Sequence, residues 1–469
     1  MDEPTKTSEP GGPGEPRGLR EQLTAMRKTL LGAFGIMMVA STLAAALNYI
    51  FSIVMTGMLG GKGEFSSFNS LNSLFLIVVM GAASVQTVVT KYVAEFDALG
   101  QEQNIRHLAR SFSRWLLIIG GVVVVVSFAV AWPLADALKL SSPVFIIILG
   151  TSIAAAFYIT FPYGLLQGQQ RFIGLGAAAM ATALLRIVCG VVLVAIGLGV
   201  YGALGAGTVS AILVALVVVY YYRDLFRGKT EPAGDFHPSS ALWSLVPVAA
   251  AIFLVILMTQ IDVVLVRAFW GLKSPVTADR YSYAALAGKA ALFFPEGISI
   301  VMFPRVSELR AKGQPTRRVL AWSMAAALVL VGAVVGFYAL FPGFTADFFT
   351  AGKHGKELAA IPSILGINFV VLFGAVMAIF ALVKLLAFYH LAMNRRLFIA
   401  FLAAGAVAEV VGIALFHDTL GQILVVMLVV GAALLVINLA LAVEEKPGPP
   451  GEAAPQEIEE TTIAASIPL

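Results

Sequence analysis

The fold class predicted for this chain of 469 residues is all-α: a polytopic membrane protein of about 12 transmembrane helices in two six-helix lobes related by a parallel pseudo-repeat. Three observations predict it. Hydrophobic residues make up 59% of the sequence and charged residues 12%, about half the charged share of an average soluble domain. Twelve apolar runs are long enough to cross a bilayer, which takes ~17–25 residues. A polar stretch divides those runs into two sets of six.

The chain opens on residues rich in Pro, Gly and Glu, which cannot bury enough apolar surface to fold. With the basic residues up to Lys28 they are expected as a disordered cytoplasmic N-tail, 1–28. The apolar segment from about Leu30 exceeds the ~7–15-residue apolar core of a signal peptide, so it predicts an uncleaved first helix. The twelve runs are 30–58, 67–92, 115–134, 143–165, 173–197, 200–220, 242–268, 281–303, 319–341, 358–388, 397–416 and 420–443. Pro362, near the start of the long tenth run, predicts a tilt or a break there. YYRDLFRGKTEPAGDFHPSS mixes charges with Pro and Gly as a solvated linker does. It gives an N-lobe at 29–222, a cytoplasmic linker at 223–240 and a C-lobe at 241–443. Residues 444–469 have the composition of a second disordered cytoplasmic tail.

With the N-terminus inside, 21 Lys and Arg fall in cytoplasmic segments and six in outer loops. That asymmetry predicts two cytoplasmic termini in a multi-pass protein of the cytoplasmic membrane. A shift of 213 residues lays the first helix on the seventh and aligns VVTKYVAEF (88–96) with VMFPRVSEL (301–309). An even number of spans in each half makes the repeat parallel, with a binding site expected between the halves.

The charges inside the apolar runs are the candidate functional groups, because a charge at the bilayer centre costs at least ~3 kcal/mol and normally faces a bundle interior or a water-filled path. In YSYAALAGKAALFFPEGISIVMFPRVSELR (281–310), Lys289 and Glu296 stand seven residues apart. On a continuous helix they share a face about 10 Å apart, too far for a direct pair. Pro295 is expected to kink that helix. The plainer alternative for these two is a buried structural ion pair beside a packing kink. Arg186, Glu409 and Glu296 lie at similar depth near the midplane, where they can meet. Asp262 lies nearer the outer surface, within reach of Lys289, and Arg267 is expected to snorkel to the outer interface. Asn48 and Gln86 add neutral hydrogen-bonding capacity on the first two helices, for helix-to-helix bonding ahead of substrate contact. For Arg186 with Glu409, a structural pair and a transport site are both open.

The stretches DVVLVRAFWG…ADRYSYAALAGKAALFFPEGISIVMFPRVSELR (262–310) and PYGLLQGQQRF (162–172) resemble the polysaccharide transporter family of the multidrug/oligosaccharidyl-lipid/polysaccharide exporter superfamily. The resemblance implies a flippase for lipid-linked oligosaccharides, with two lobes alternating access around a central cavity. By position it places Lys289 and Glu296 on the C-lobe side of that cavity, and Gln167, Gln169 and Arg171 at a cytoplasmic helix end. Arg186, Glu409, Asp262, Asn48 and Gln86 complete the expected lining. Two departures narrow the cargo. The first helix lacks the acidic residue common in ion-coupled drug exporters of the superfamily, and the first two helices lack the arginines of the relatives that move peptidoglycan precursor.

An enzyme acting on the same lipid-linked sugars needs catalytic residues on a substantial external loop, and the longest expected outer loop, 342–357, has sixteen residues. His107, His237, His354, His390 and His417 show no metal-ligand spacing. No phosphate-binding Gly-x-x-x-x-Gly-Lys loop is present. Cys189 is the sole cysteine, so no intrachain disulfide forms. The function expected is therefore translocation of a lipid-linked, polyprenyl-phosphate-type oligosaccharide or polysaccharide precursor. The alternative is an ion-coupled multidrug or small-solute exporter of the same superfamily. No enzyme activity, cofactor, metal or nucleic acid is expected. The partners expected are a lipid-linked anionic saccharide, membrane lipids and polysaccharide biosynthesis proteins.

Overall fold

A computed structural model describes residues 17–60, 62–227, 238–364 and 366–443. The C-tail, most of the 223–240 linker and the first sixteen residues of the N-tail lie outside the described residues. Helix α1 spans Arg17–Met58, so the basic stretch before Leu30 is helical rather than part of a tail. Its sequence, RGLREQLTAMRK, consists largely of strong helix formers.

Helices α2 (Glu64–Ala98), α3 (Glu102–Ala137), α4 (Val144–Gly168), α5 (Phe172–Leu193) and α6 (Gly199–Tyr221) complete the first half. A π-helical turn, Val194–Leu198, carries α5 into α6 without an extended loop. Gly197 and Gly199 make the reversal at φ of 95° and 48°, a region that suits glycine. On α4, Gly164 and Gly168 let the backbone close on Val89 and Val93 of α2. A Cβ at either glycine would stand 2.7 or 2.6 Å from those side chains, so small residues four apart set this interface.

The second half begins with α7 (Pro238–Trp270) and α8 (Pro275–Lys289), followed by α9 (Glu296–Ala311) and α10 (Arg317–Leu340). Two short helices, α11 (Pro342–Phe349) and α12 (Gly355–Ala359), precede α13 (Phe369–Ala392), α14 (Leu397–Leu415) and α15 (Leu420–Val443). Among the described residues eleven helices are long and apolar enough to cross a membrane, and one of them, Phe172–Tyr221, comprises both α5 and α6. Counted separately, these two bring the candidate crossings among the described residues to twelve.

Two of the expected runs are interrupted. Run 281–303 is not one continuous helix: α8 ends at Lys289, a 3₁₀ turn follows at Ala290–Leu292, and α9 starts at Glu296. Pro295 has no N–H to continue the ladder. In the 358–388 run α12 stops at Ala359 and α13 starts only at Phe369, after Pro362 and a left-handed Gly366 (φ 76°). Asn368 caps α13 by accepting a hydrogen bond from the Val370 N–H at 2.9 Å.

Within each half the helices pack on their own set: α2 with α4, α1 with α5 and α3 with α4 in the first, α13 with α8, α10 and α15 in the second. Large apolar side chains on α3, α6 and α10, including Trp115, Val125, Val217, Trp322 and Val329, face outward, as lipid contact requires. The halves meet where α2 runs along α7 and against α8. Ser66 and Asn69 of α2 bond to Asp279 and Ser282 of α8. Each pair is 213 residues apart, so elements equated by the repeat face one another across a local two-fold axis.

Candidate functional site

Among the described residues, the charged groups buried in the bundle fall into four clusters. The first joins α7 and α8. Lys289 donates to Asp262 Oδ1 at 2.9 Å and to Gln260 Oε1 at 3.3 Å, and the Tyr281 hydroxyl donates to Asp262 Oδ2 at 2.9 Å. Asp262 is fully buried and Lys289 only 8% exposed. The reach from Lys289 to Asp262 expected from depth is therefore present. Gln260 also accepts from Ser73 Oγ at 3.0 Å, which ties the cluster to α2 in the other half. Glu409 of α14, fully buried, lies within electrostatic range of Asp262, Lys289 and Tyr281.

Glu296 belongs to a second cluster, where it pairs with Lys384 of α13. Lys384 also borders a small apolar cavity with Val255, Ile256 and Phe388. The break after Lys289 explains the separation, since the two charges sit on different helices with different neighbours. The third cluster holds Arg186 of α5. Its guanidinium donates to Asn48 Oδ1 at 3.1 Å and to Asn72 Oδ1 at 3.0 Å, and lies 4.6 Å from the centre of the Phe51 ring. Arg186 and Glu409 do not pair: similar depth places them in different halves. Gln86 bonds to Gln167 Oε1 at 2.8 Å, joined by Thr90 at 3.3 Å. Gln86 is thus a helix-to-helix bond within the first half, while Asn48 orients Arg186.

A fourth cluster seals the end of the bundle that carries the 59–63 and 271–274 connections, here termed the far end. Asp279 accepts from the Gly63 and Ser66 N–H groups at 2.6 and 2.8 Å. Arg267 donates to Gly63 O at 3.1 Å, Ser66 Oγ at 3.0 Å and Lys139 O at 2.7 Å. It does not snorkel outward; only 5% of it is exposed, because backbone carbonyls at the end of the bundle supply the acceptors that interfacial water would otherwise provide. Tyr49 donates to Leu286 O, and Lys353 to Gly57 O at 2.6 Å. These contacts all join one half to the other.

No family model and no curated protein matches the sequence. Solved structures match in fold. An inward-facing multidrug resistance MATE family transporter of the MOP superfamily superposes with a TM-score of 0.62 at 14% identity, over 84% of this chain and 94% of that one. The fold is that of the MATE transporters. A variant of the Vibrio cholerae MATE transporter VcmN gives a TM-score of 0.60 at 13% identity, over 89% of this chain and 98% of that one. A MOP superfamily transporter from Pyrococcus furiosus, described as having a binding pocket of reverse polarity, gives 0.52 at 15% identity, over 88% and 94%. On the MATE fold of this chain, the Arg186 cluster sits in the first half and the Lys289 and Glu296 clusters in the second.

Several of these residues escaped sequence reasoning. Tyr281, Gln260 and Asn72 are ordinary polar residues near helix ends or beside charges. Lys384 carried a signal, a cation deep in an apolar run, but nothing in the run names its partner. Asp279 lies just outside the eighth apolar run, where an acid reads as a solvated helix end.

Proposed function

We propose that the chain is a secondary exporter that works by alternating access, its two six-helix halves rocking about the α2–α7 and α2–α8 contacts. The observation that carries this is the far-end seal. The polar contacts between the halves concentrate on residues 49–73 of α1 and α2, with Asp279, Arg267, Gln260, Leu286 and Lys353 opposite. Halves latched at one end form one of the two states that alternating access needs. The 21-to-6 charge distribution makes the far end extracytoplasmic and both termini cytoplasmic. A cysteine replacing Lys273 should then react with an impermeant thiol reagent in intact cells, and one replacing Gly234 should not. Labelling at Gly234 in sealed cells would reverse the orientation.

For the cargo, the neighbours described as multidrug resistance transporters support the multidrug exporter reading best. One feature of the site favours a second cargo, the lipid-linked anionic saccharide. Among the described residues no carboxylate pairs with Arg186, whose bonds go to two neutral amides and an aromatic face. A guanidinium so held keeps its whole charge and its affinity for phosphate. Such a flippase carries the charged sugar headgroup through the space between the halves while the polyprenyl tail stays in lipid.

A reversible lock tests the mechanism. With Cys189 replaced by Ala, Asn69→Cys and Ser282→Cys should oxidise to a disulfide across the seal. Transport by the oxidised protein should stop, and reduction should restore it. Two probes are measured: ethidium in everted vesicles, and a fluorescent polyprenyl-pyrophosphate saccharide in proteoliposomes. Movement of either probe assigns its cargo class, and movement of both assigns both. Undiminished movement by fully cross-linked protein would end the alternating-access proposal.

A further inference from the structure

Glu409 is fully buried, and neither of its carboxylate oxygens has a hydrogen-bond partner among the described residues. The helices around it bring few charges. From α7 comes Asp262, and from α8 come Lys289 and Tyr281, all within electrostatic range. α15, which packs on the same helix, carries no charged residue between Leu420 and Val443. On α13, Lys384 is taken by Glu296, and His390 stacks on Phe398 near the start of α14. Lys289 and Tyr281 already satisfy Asp262.

With both carboxyl groups ionised, the Asp262–Lys289–Glu409 cluster would hold one uncompensated negative charge in apolar surroundings. An unpaired buried carboxylate costs several kcal/mol, and protonation removes most of that cost. The cluster is also wired to the seal between the halves: Lys289 bonds to Gln260, and Gln260 accepts from Ser73 of the opposite half. Parting α2 from α7 breaks the Ser73 bond and removes the contact that fixes the Gln260 amide, one of the two groups that hold the Lys289 ammonium.

We propose that Glu409 is the proton-exchanging group of this transporter, protonated in the far-end-sealed state and ionised, with the Lys289 ammonium shared between it and Asp262, once the Ser73–Gln260 bond is broken and the halves part. The step breaks the carboxyl O–H bond and passes the proton to water, leaving a carboxylate within electrostatic range of the ammonium; no other covalent bond changes. The link to opening of the seal rests on the alternating-access proposal.

The test is an infrared pH titration of purified protein with no cargo present. The wild type should show a carboxylic acid C=O band that disappears as pH rises, and the band should be missing from Glu409→Gln and displaced in Glu409→Asp. In the oxidised Asn69→Cys/Ser282→Cys protein the band should persist to a proton concentration at least about tenfold lower, because a sealed state that favours the protonated form binds its proton more tightly. An unchanged band in Glu409→Gln overturns the proposal. So does erasure of the band by sodium chloride at fixed pH, which would mark a metal-cation site. If Glu409→Gln does not fold, an unshifted band in Glu409→Asp overturns it equally. A band that titrates in protein whose cross-link leaves ethidium and saccharide movement intact would keep the proton site and reject alternating access.

Discussion

Lys289→Met should destabilise the folded protein by about 3–5 kcal/mol, the usual loss when one member of a buried ion pair is removed and the other left uncompensated. Asp262 is fully buried, and after the change only Tyr281 remains to bond it. Asp262→Leu alone should cost a similar amount, because it strands the ammonium. The double variant Lys289→Met/Asp262→Leu should recover most of the loss, since an apolar pair of similar volume needs no compensating charge. Heating detergent-purified protein and following loss of the monodisperse peak measures each case. A double variant no more stable than the single ones would show that the pair does more than neutralise itself. Transport by a double variant that is stable again would exclude Lys289 from direct binding of cargo.

Arg186→Gln should lower movement of the polyprenyl-pyrophosphate saccharide by about tenfold to hundredfold and leave ethidium movement intact. Hydrogen bonds to charged groups contribute about 1.5–3 kcal/mol, which is roughly a tenfold to hundredfold change in affinity. Arg186→Lys should keep part of the activity, since it retains the charge but not the planar fork that spans Asn48 and Asn72. Equal loss of both probes together with a lower melting temperature would make Arg186 a structural bridge between α1, α2 and α5. Undiminished saccharide flipping by Arg186→Gln would remove the anionic cargo.

How far the site could be read from the chain depended on what each inference assumed. Asp262 and Lys289 were within reach because both depths were counted from nearby helix ends at the same face. Glu296 was placed on the face of Lys289 only by assuming an unbroken helix, and the 3₁₀ turn before Pro295 turned it to Lys384 instead. The suggested meeting of Arg186 and Glu409 used depth alone, one coordinate of three. Rotation about the helix axis and the identity of the lateral neighbour are the other two, and they separate the pair.

Helix number, membrane class and the two-fold echo were legible because they depend on properties a chain carries locally: run length, hydropathy, the spacing of turn residues and an offset of 213 that recurs in the Ser66–Asp279 and Asn69–Ser282 contacts. Which charge meets which was decided by the tertiary structure. Lys384 found Glu296, Arg267 turned inward onto Gly63 and Lys139, and Glu409 was left without a bond. A buried polar group takes its partner from whichever helix packs beside it, and in a bundle this apolar almost every helix face is hydrophobic enough to pack against any other.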